Sequence, residues 1–405
     1  MNLIWALIND LSFLVSLALI SIPIPGIASS IQSLLSTLFY LDLLMTDQWL
    51  PIEKSVTEGE LEEDSALNLL FESQGFQSRI VLLNLGSSLV FLVIQVMLLL
   101  YTFLMKVLSS VSLIAKKQFI FLEGRLLWGG TIRFIIQQFQ PFIFSSFINI
   151  TSTSLSDLQT QSLGLRFNFY LSAIIFAGTL FSIIVFYSII ISGKAEQSKY
   201  STLIDGLKSD RRGFAQYWTI WTLVKWSLMC FVLILLKDCP ALQVQLLTLL
   251  SIFSTMLQFK VQPMDCALEN AICLFNELMA TFYLYVLISL AIAGEDTSLR
   301  ENLGLSLISI LLFALFVNVM KVIIQIIIDI VKKIIKKWCS NTRVVWLRRQ
   351  QVSKDVYRVP RLRLESNVEG LVREGQINKT DLNSNDMPQQ SRRIVAQDVT
   401  LQELI

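Results

Sequence analysis

Long apolar runs alternate with short polar connections along most of the chain, and basic residues gather in every second connection. Eight runs approach the length of about 20 apolar residues that a helix needs to cross a bilayer core about 30 Å thick. They cover residues 3–22, 80–103, 131–150, 167–191, 217–236, 242–259, 271–293 and 303–328. A spanning chain cannot leave backbone amides unpaired in lipid, so each run predicts a helix. The expected fold class is therefore all-α, a polytopic membrane bundle of about eight transmembrane helices. Two runs fit less well. The first is interrupted by Asn9 and Asp10, and the third carries Gln137, Gln138, Gln140 and Pro141.

Charge adds an orientation. Lys106, Lys116, Lys117 and Arg125 follow the second run, and Lys194, Lys199, Lys208, Arg211 and Arg212 follow the fourth. Lys332, Lys333, Lys336 and Lys337 follow the eighth. Basic connections stay in the cytosol, so these three face inward and both termini are expected there. The alternate connections are acidic or nearly uncharged. Residues 51–72 hold Glu53, Glu58, Glu60, Glu62, Glu63, Asp64 and Glu72 against Lys54 alone, and residues 151–165 hold only Asp157. Residues 294–302 hold Glu295, Asp296 and Glu301 against Arg300. Arg79 and Arg166 are exceptions, each at the outer edge of a run.

The first run is no secretory leader, since it lacks a basic start and a small-residue cleavage site. It stops at Pro23, Pro25 and Gly26, because proline lacks the amide and clashes with the preceding turn. Residues 27–45 are apolar but dotted with Ser29, Ser30, Gln32, Ser33, Ser36 and Thr37. An extra crossing there would reverse every later run, so 23–79 is expected as an outer-face segment lying on or dipping into the membrane.

The expected domains are a bundle over 1–331, a basic juxtamembrane segment over 332–363 and a disordered cytosolic tail over 364–405. The tail is rich in Asn, Gln and Ser and lacks periodicity. The basic segment has eleven Lys and Arg against Asp355 alone. Such a flank attracts anionic headgroups by about 1 kcal/mol per charge, making Lys332, Lys333, Lys336 and Lys337 lipid-binding candidates. Cytosolic flanks of spans are also basic for topology alone. Cys339 follows this run as a palmitoylation candidate, with an unmodified thiol as the plainer alternative.

Composition agrees with a membrane protein: 54% of residues are hydrophobic and the mean hydropathy is +0.61. Net charge is only +2. The five cysteines have no metal-site spacing and fall on both predicted sides. The chain has no histidine, which removes histidine triads, ligands and proton relays. No phosphate loop or nucleophile elbow appears, so no enzyme activity, metal centre or cofactor is expected. Asn149-Ile150-Thr151 fits a glycosylation pattern at a membrane edge and reads as chance.

Ionisable groups inside the runs carry the mechanistic signal, because they are costly in lipid and normally face protein or water. Lys225 and Glu277 each lie about 10 Å in from the predicted inner edge, at 1.5 Å per residue. Asn276 adjoins Glu277, Asn318 and Lys321 reach a comparable level, and Arg133 and Gln137 are expected to join them. One reading is a cation-binding or gating layer, with Glu277 as acidic ligand and Asn276 or Asn318 as neutral oxygen donors. The other is a Lys225–Glu277 pair that only fixes helix packing. Residues 303–338 can run as one helix of about 54 Å, either a gate-lining lever or a span with an amphipathic extension. The connections at 237–241 and 294–302 are too short for a pore loop, so any path runs between helices.

Three stretches resemble a known group: residues 3–9 (LIWALIN), residues 132–150 (IRFIIQQFQPFIFSSFINI) and residues 274–288 (LFNELMATFYLYVLI). They are similar to the multi-pass C-terminal membrane region of large ciliate surface proteins, whose extracellular part carries Cys-rich, furin-like repeats. The resemblance covers about residues 3–330 and implies a loosely TRP-like channel or sensor. No Cys-rich ectodomain precedes residue 1, so the expectation is a C-terminal part of a longer product or a shortened member. Two functions stay open: a TRP-like cation channel or sensor in the plasma membrane, and a non-conducting anchor of a surface-adhesion complex. The expected partners are the bilayer, anionic phospholipids and further copies of the chain, with no nucleic acid.

Overall fold

The computed structural model describes residues 11–39, 71, 76, 80–153, 163–197, 199–208, 213–294 and 296–356. The expected disordered tail, the acidic stretch 51–70, the start of the first run and Met1 lie outside them. Two compact units are distinguished, Met1–Asp329 and Ile330–Ile405.

The first unit is helical, and no strand occurs among the described residues. Residues 11–16 are helical, Leu17–Leu19 tighten into a 3-10 turn, and the chain is extended by Ile20. The break comes slightly before the expected end of the run. Pro23 clashes with the carbonyl four residues back and biases the residue before it away from helix. After Gly26 in the left-handed region (φ 61°), helix α1 covers Ile27–Phe39. Then follow α2 (Val81–Leu85), α3 (Ser87–Leu108) and α4 (Leu113–Leu122). A π-helical segment, Glu123–Gly130, leads into α5 (Thr131–Ser152). Next come α6 (Leu163–Ile191), α7 (Trp218–Leu235), α8 (Pro240–Val261), α9 (Ala267–Ile292) and α10 (Thr297–Val356).

Six segments are long and apolar enough to cross a membrane: Ser88–Leu108, Leu163–Ile191, Phe214–Leu235, Pro240–Val261, Ala267–Ile292 and Thr297–Lys336. They match six of the eight expected runs, and they suit a membrane-embedded, multi-pass protein. Their outer faces agree. Met97, Phe103, Ile174, Phe181, Ile184, Phe253 and Phe316 are all large apolar side chains more than half exposed. So much apolar surface would be costly in water and suits lipid.

The two remaining runs are the two that fitted least well, and both lie deep inside. Helix α5 is a full 22 residues long, yet too polar to be counted among the six. It is nevertheless deeply enclosed, with Gln138, Phe139, Gln140 and every residue from Phe142 to Asn149 buried. Phe139 meets Trp226, and Phe147 stacks on Phe176 with centroids 5.1 Å apart. A helix shielded by protein need not be apolar in composition, since other helices supply its surroundings. Pro141 sits inside it and leaves the Gln137 carbonyl without an intrahelical donor.

The N-terminal segment is buried without interruption from Leu11 to Ile20. It passes through the packed core of α5, α7 and α9. Its non-helical backbone is allowed at that depth because protein surrounds it. The amide of Ser21 is held by the Gln243 carboxamide oxygen at 2.9 Å, and Gln243 Nε2 donates to the Leu233 carbonyl at 2.9 Å. One side chain thereby satisfies a backbone amide past a helix end and a carbonyl in the last turn of α7.

Gln32 donates to the Tyr283 hydroxyl at 2.8 Å, so α1 packs into the bundle against α9. At Gly304 an added Cβ would stand 3.3 Å from Ala28 Cβ and from Pro25 Cγ, so α1 also abuts α10. The opposite face is stitched by the connection after α6. The Lys208 amide donates to the Pro263 carbonyl at 2.9 Å, and the Asp265 amide to the Gly206 carbonyl at 3.0 Å.

Candidate functional site

Lys225 lies in the first half of α7 and Glu277 in the first half of α9. Side chains on a helix lean toward its N-terminus. Both N-termini are on the face stitched by the connection after α6, so the two side chains lean the same way and meet. Lys225 Nζ donates to both oxygens of Glu277, at 2.5 and 2.7 Å. The lysine side chain is 5% exposed and the glutamate 16%. A charge at this depth without a partner would carry a large desolvation cost, which a close bidentate pair offsets. Phe13 adds a third element: Nζ lies 3.6 Å from its ring centroid, within cation–π range.

The adjacent residue points elsewhere. Successive positions on a helix are about 100° apart, so Asn276 faces α10 while Glu277 faces α7. Asn276 Nδ2 donates to Asn318 Oδ1 at 3.1 Å, and Asn318 Nδ2 returns a bond to Asn276 Oδ1 at 2.7 Å. Asn318 also donates to the Ala314 carbonyl one turn back. Lys321 lies one turn beyond Asn318 and is buried. Four of the seven expected residues thus form two pairs that share α9, with Lys321 on the α10 side.

Two expected members do not join. Arg133 is on an exposed flank, 3.5 Å from Asp205, with side-chain exposures of 40% and 71%. It sits half a turn into α5, where the helix emerges from the core. Gln137 is half-buried on α5, whereas its neighbours Gln138 and Gln140 are the enclosed glutamines.

Other polar groups complete the surroundings. Ser251 and Thr281 share a hydrogen bond of 2.9 Å, and Thr281 also donates to the Glu277 carbonyl. Ser251 belongs to a line of polar residues on α8, Gln243, Thr248, Ser251, Ser254 and Gln258, all buried. Their spacing of three to five residues along an apolar run is legible in the sequence and was the missed signal. The Phe13, Gln32 and Tyr283 contacts have no such signal, since they join segments far apart in the chain. Asn149 is buried and its Oδ1 accepts from Ser172 at 2.8 Å, so the glycosylation pattern there is engaged in helix packing.

Lys332, Lys333 and Lys336 are exposed, as are Ile330, Val331, Ile334 and Ile335 beside them. The side chains of Lys337 and Cys339 lie outside the described residues.

Chemically, the layer offers a carboxylate, two carboxamides and two ammonium groups at one level. The carboxylate is bound by the chain's own cation, and the two carboxamides bind each other. No family model, curated protein or solved structure matches this chain.

Proposed function

We propose that the chain is a channel-like or sensory protein of the plasma membrane, in which a cation path passes Glu277 and Lys225 holds it closed. The observation behind this reading is a lysine and a glutamate paired inside the bundle, on two helices that suit a membrane crossing. Ionisable groups at such depth are rare and tend to mark ion or proton paths. Lys225 acts here as an internal cation. A permeating cation competes with it for the carboxylate, and Asn276 and Asn318 provide neutral oxygen once their mutual bonds open. Lys321 raises the positive charge of the layer and disfavours opening without a stimulus.

Eight crossings with both termini cytosolic belong to the same reading. In its support, residues 13–21 run from the level of Lys225 to that of Gln243, and α5 is long enough to cross. Exposed Lys332, Lys333 and Lys336, with Lys337, are the proposed contacts for anionic phospholipid, and Cys339 the proposed acylation point. Kinship with the loosely TRP-like membrane region of the ciliate surface proteins remains a proposal from the sequence resemblance.

A second reading is a non-conducting anchor of an adhesion complex. It is favoured by the internal pairing of Lys225, Glu277, Asn276 and Asn318, which leaves no ligand group turned outward. Ionic flux through the purified protein in liposomes separates the two, with Glu277→Gln alongside and thermal melting as a check of folding. Cation flux altered by the substitution supports the path. No flux under varied lipid, voltage and calcium supports the anchor.

A further inference from the structure

Ser251, Ser254 and Gln258 stand three and four residues apart on α8, so they share one side of the helix. All three are buried, Ser254 and Gln258 to 1% exposure. The hydrogen bond between Ser251 and Thr281 sets the register of the antiparallel pair α8 and α9. Counting along both helices from it, Ser254 comes level with the turn that carries Glu277. Gln258 lies one turn nearer the face stitched by the connection after α6.

These two side chains differ from Gln243, Thr248 and Ser251 on the same stripe, which are all partnered. Hydroxyl groups on these helices usually fold back on the carbonyl four residues earlier, as Ser227, Thr248 and Thr255 do. Ser254 does not, and its Oγ has no protein partner. Gln243, on the same stripe, spends both ends of its carboxamide on backbone groups. Gln258 spends neither: Nε2 and Oε1 are both unpartnered. Three buried polar atoms thus lie within about one turn, donors and acceptors together. Leaving a buried group unpaired costs about 1–3 kcal/mol, and such groups in native proteins are normally met by ordered water. Water fits here better than an ion of either sign, because a donor and acceptors are presented side by side.

We propose that Ser254 and Gln258 line a water-binding pocket that opens to the inner face and reaches the Lys225–Glu277 pair. It supplies the solvent that the two charges need when they separate, and it ends at the Ser251–Thr281 bond. Beyond that bond the polar residues of the stripe, Thr248 and Gln243, are spent on backbone groups, and Leu247 and Val244 beside them are buried. This inference rests on the proposed orientation and gives the Glu277 site its route of access.

The test is thiol accessibility in liposomes, with the five native cysteines replaced and a membrane-impermeant methanethiosulfonate added to one side at a time. Ser254→Cys is nearly isosteric and keeps the fold; Gln258→Cys probes the mouth, and Leu247→Cys is the buried control. The expected result is modification of positions 254 and 258 from the side bearing Lys208 and Pro263, at least tenfold faster than position 247. Rates equal to the control, or reaction from the other side alone, overturn the pocket. Melting of Gln258→Leu provides a second readout that needs no cysteine background. A dry, unpaired carboxamide gives a higher midpoint on replacement and overturns the proposal, whereas a hydrated one gives a lower midpoint. Accessible thiols without ion flux keep the pocket and remove the conduction reading; flux with inaccessible thiols does the reverse.

Discussion

Phe13 lies beneath the ammonium of Lys225, with Nζ 3.6 Å from the ring centroid, so the N-terminal segment forms one wall of the charge pair. The contact ties a segment with broken helical geometry to the polar layer of α7 and α9. Phe13→Leu keeps most of the apolar volume and removes the ring face. Its expected cost is about 1 kcal/mol, read as a lower melting midpoint in detergent. An unchanged midpoint there, with a loss in Phe13→Ala, would show that packing alone matters.

The Lys225–Glu277 pair is expected to behave as a unit. Lys225→Met or Glu277→Leu alone strands a buried charge and should cost about 3–5 kcal/mol. The double substitution should recover most of that, since an apolar pair of similar volume carries no desolvation cost. A double-mutant cycle on melting measures the coupling; additive losses would mean that the two side chains act independently.

The amide pair between α9 and α10 should couple more weakly. Asn276→Ala or Asn318→Ala leaves one carboxamide without its partner, and exchanges of this kind inside membrane bundles are worth about 0.6 kcal/mol, up to about 1.7. Asn318 is expected to show the larger effect, because it is wholly buried and also donates to Ala314. Equal effects at the two positions would point to the mutual bonds as the whole interaction.

Gly304 marks the approach of α10 to α1. A Cβ there stands 3.3 Å from Ala28 Cβ and Pro25 Cγ, tighter than ordinary van der Waals contact. Gly304→Val should force α1 away at a cost of about 1–3 kcal/mol, and weaken the Gln32–Tyr283 bond with it. Gly304→Ala should be milder. Protease accessibility near Pro25, compared between the two variants, reads the displacement directly.

Asn149 should carry no glycan when the chain is made in a glycosylating cell, because its side chain is buried and bonded to Ser172. The only other such pattern in the sequence is Asn378-Lys379-Thr380; endoglycosidase treatment of an Asn378→Gln variant, which removes it, is expected to leave the mobility unchanged. A shift would mean that the end of α5 opens during synthesis.

The sequence alone determined the helical class and six of the membrane-suited segments, because the length of an apolar run is a local property that lipid reads directly. It also singled out Lys225, Glu277, Asn276 and Asn318, and Lys225 with Glu277 as a pair, since a polar group inside an apolar run must find a partner; that Asn276 and Asn318 bind each other came from the packing. Tertiary structure alone decided which run lies in the middle. Hydropathy reports suitability for lipid, whereas α5 and residues 11–20 are surrounded by protein, so a helix too polar to suit lipid is deeply enclosed. It also decided that the expected layer is two pairs facing opposite ways from α9, with Arg133 outside it. Neighbouring positions on a helix diverge by about 100°, and only the packing of the other helices determines what each one meets.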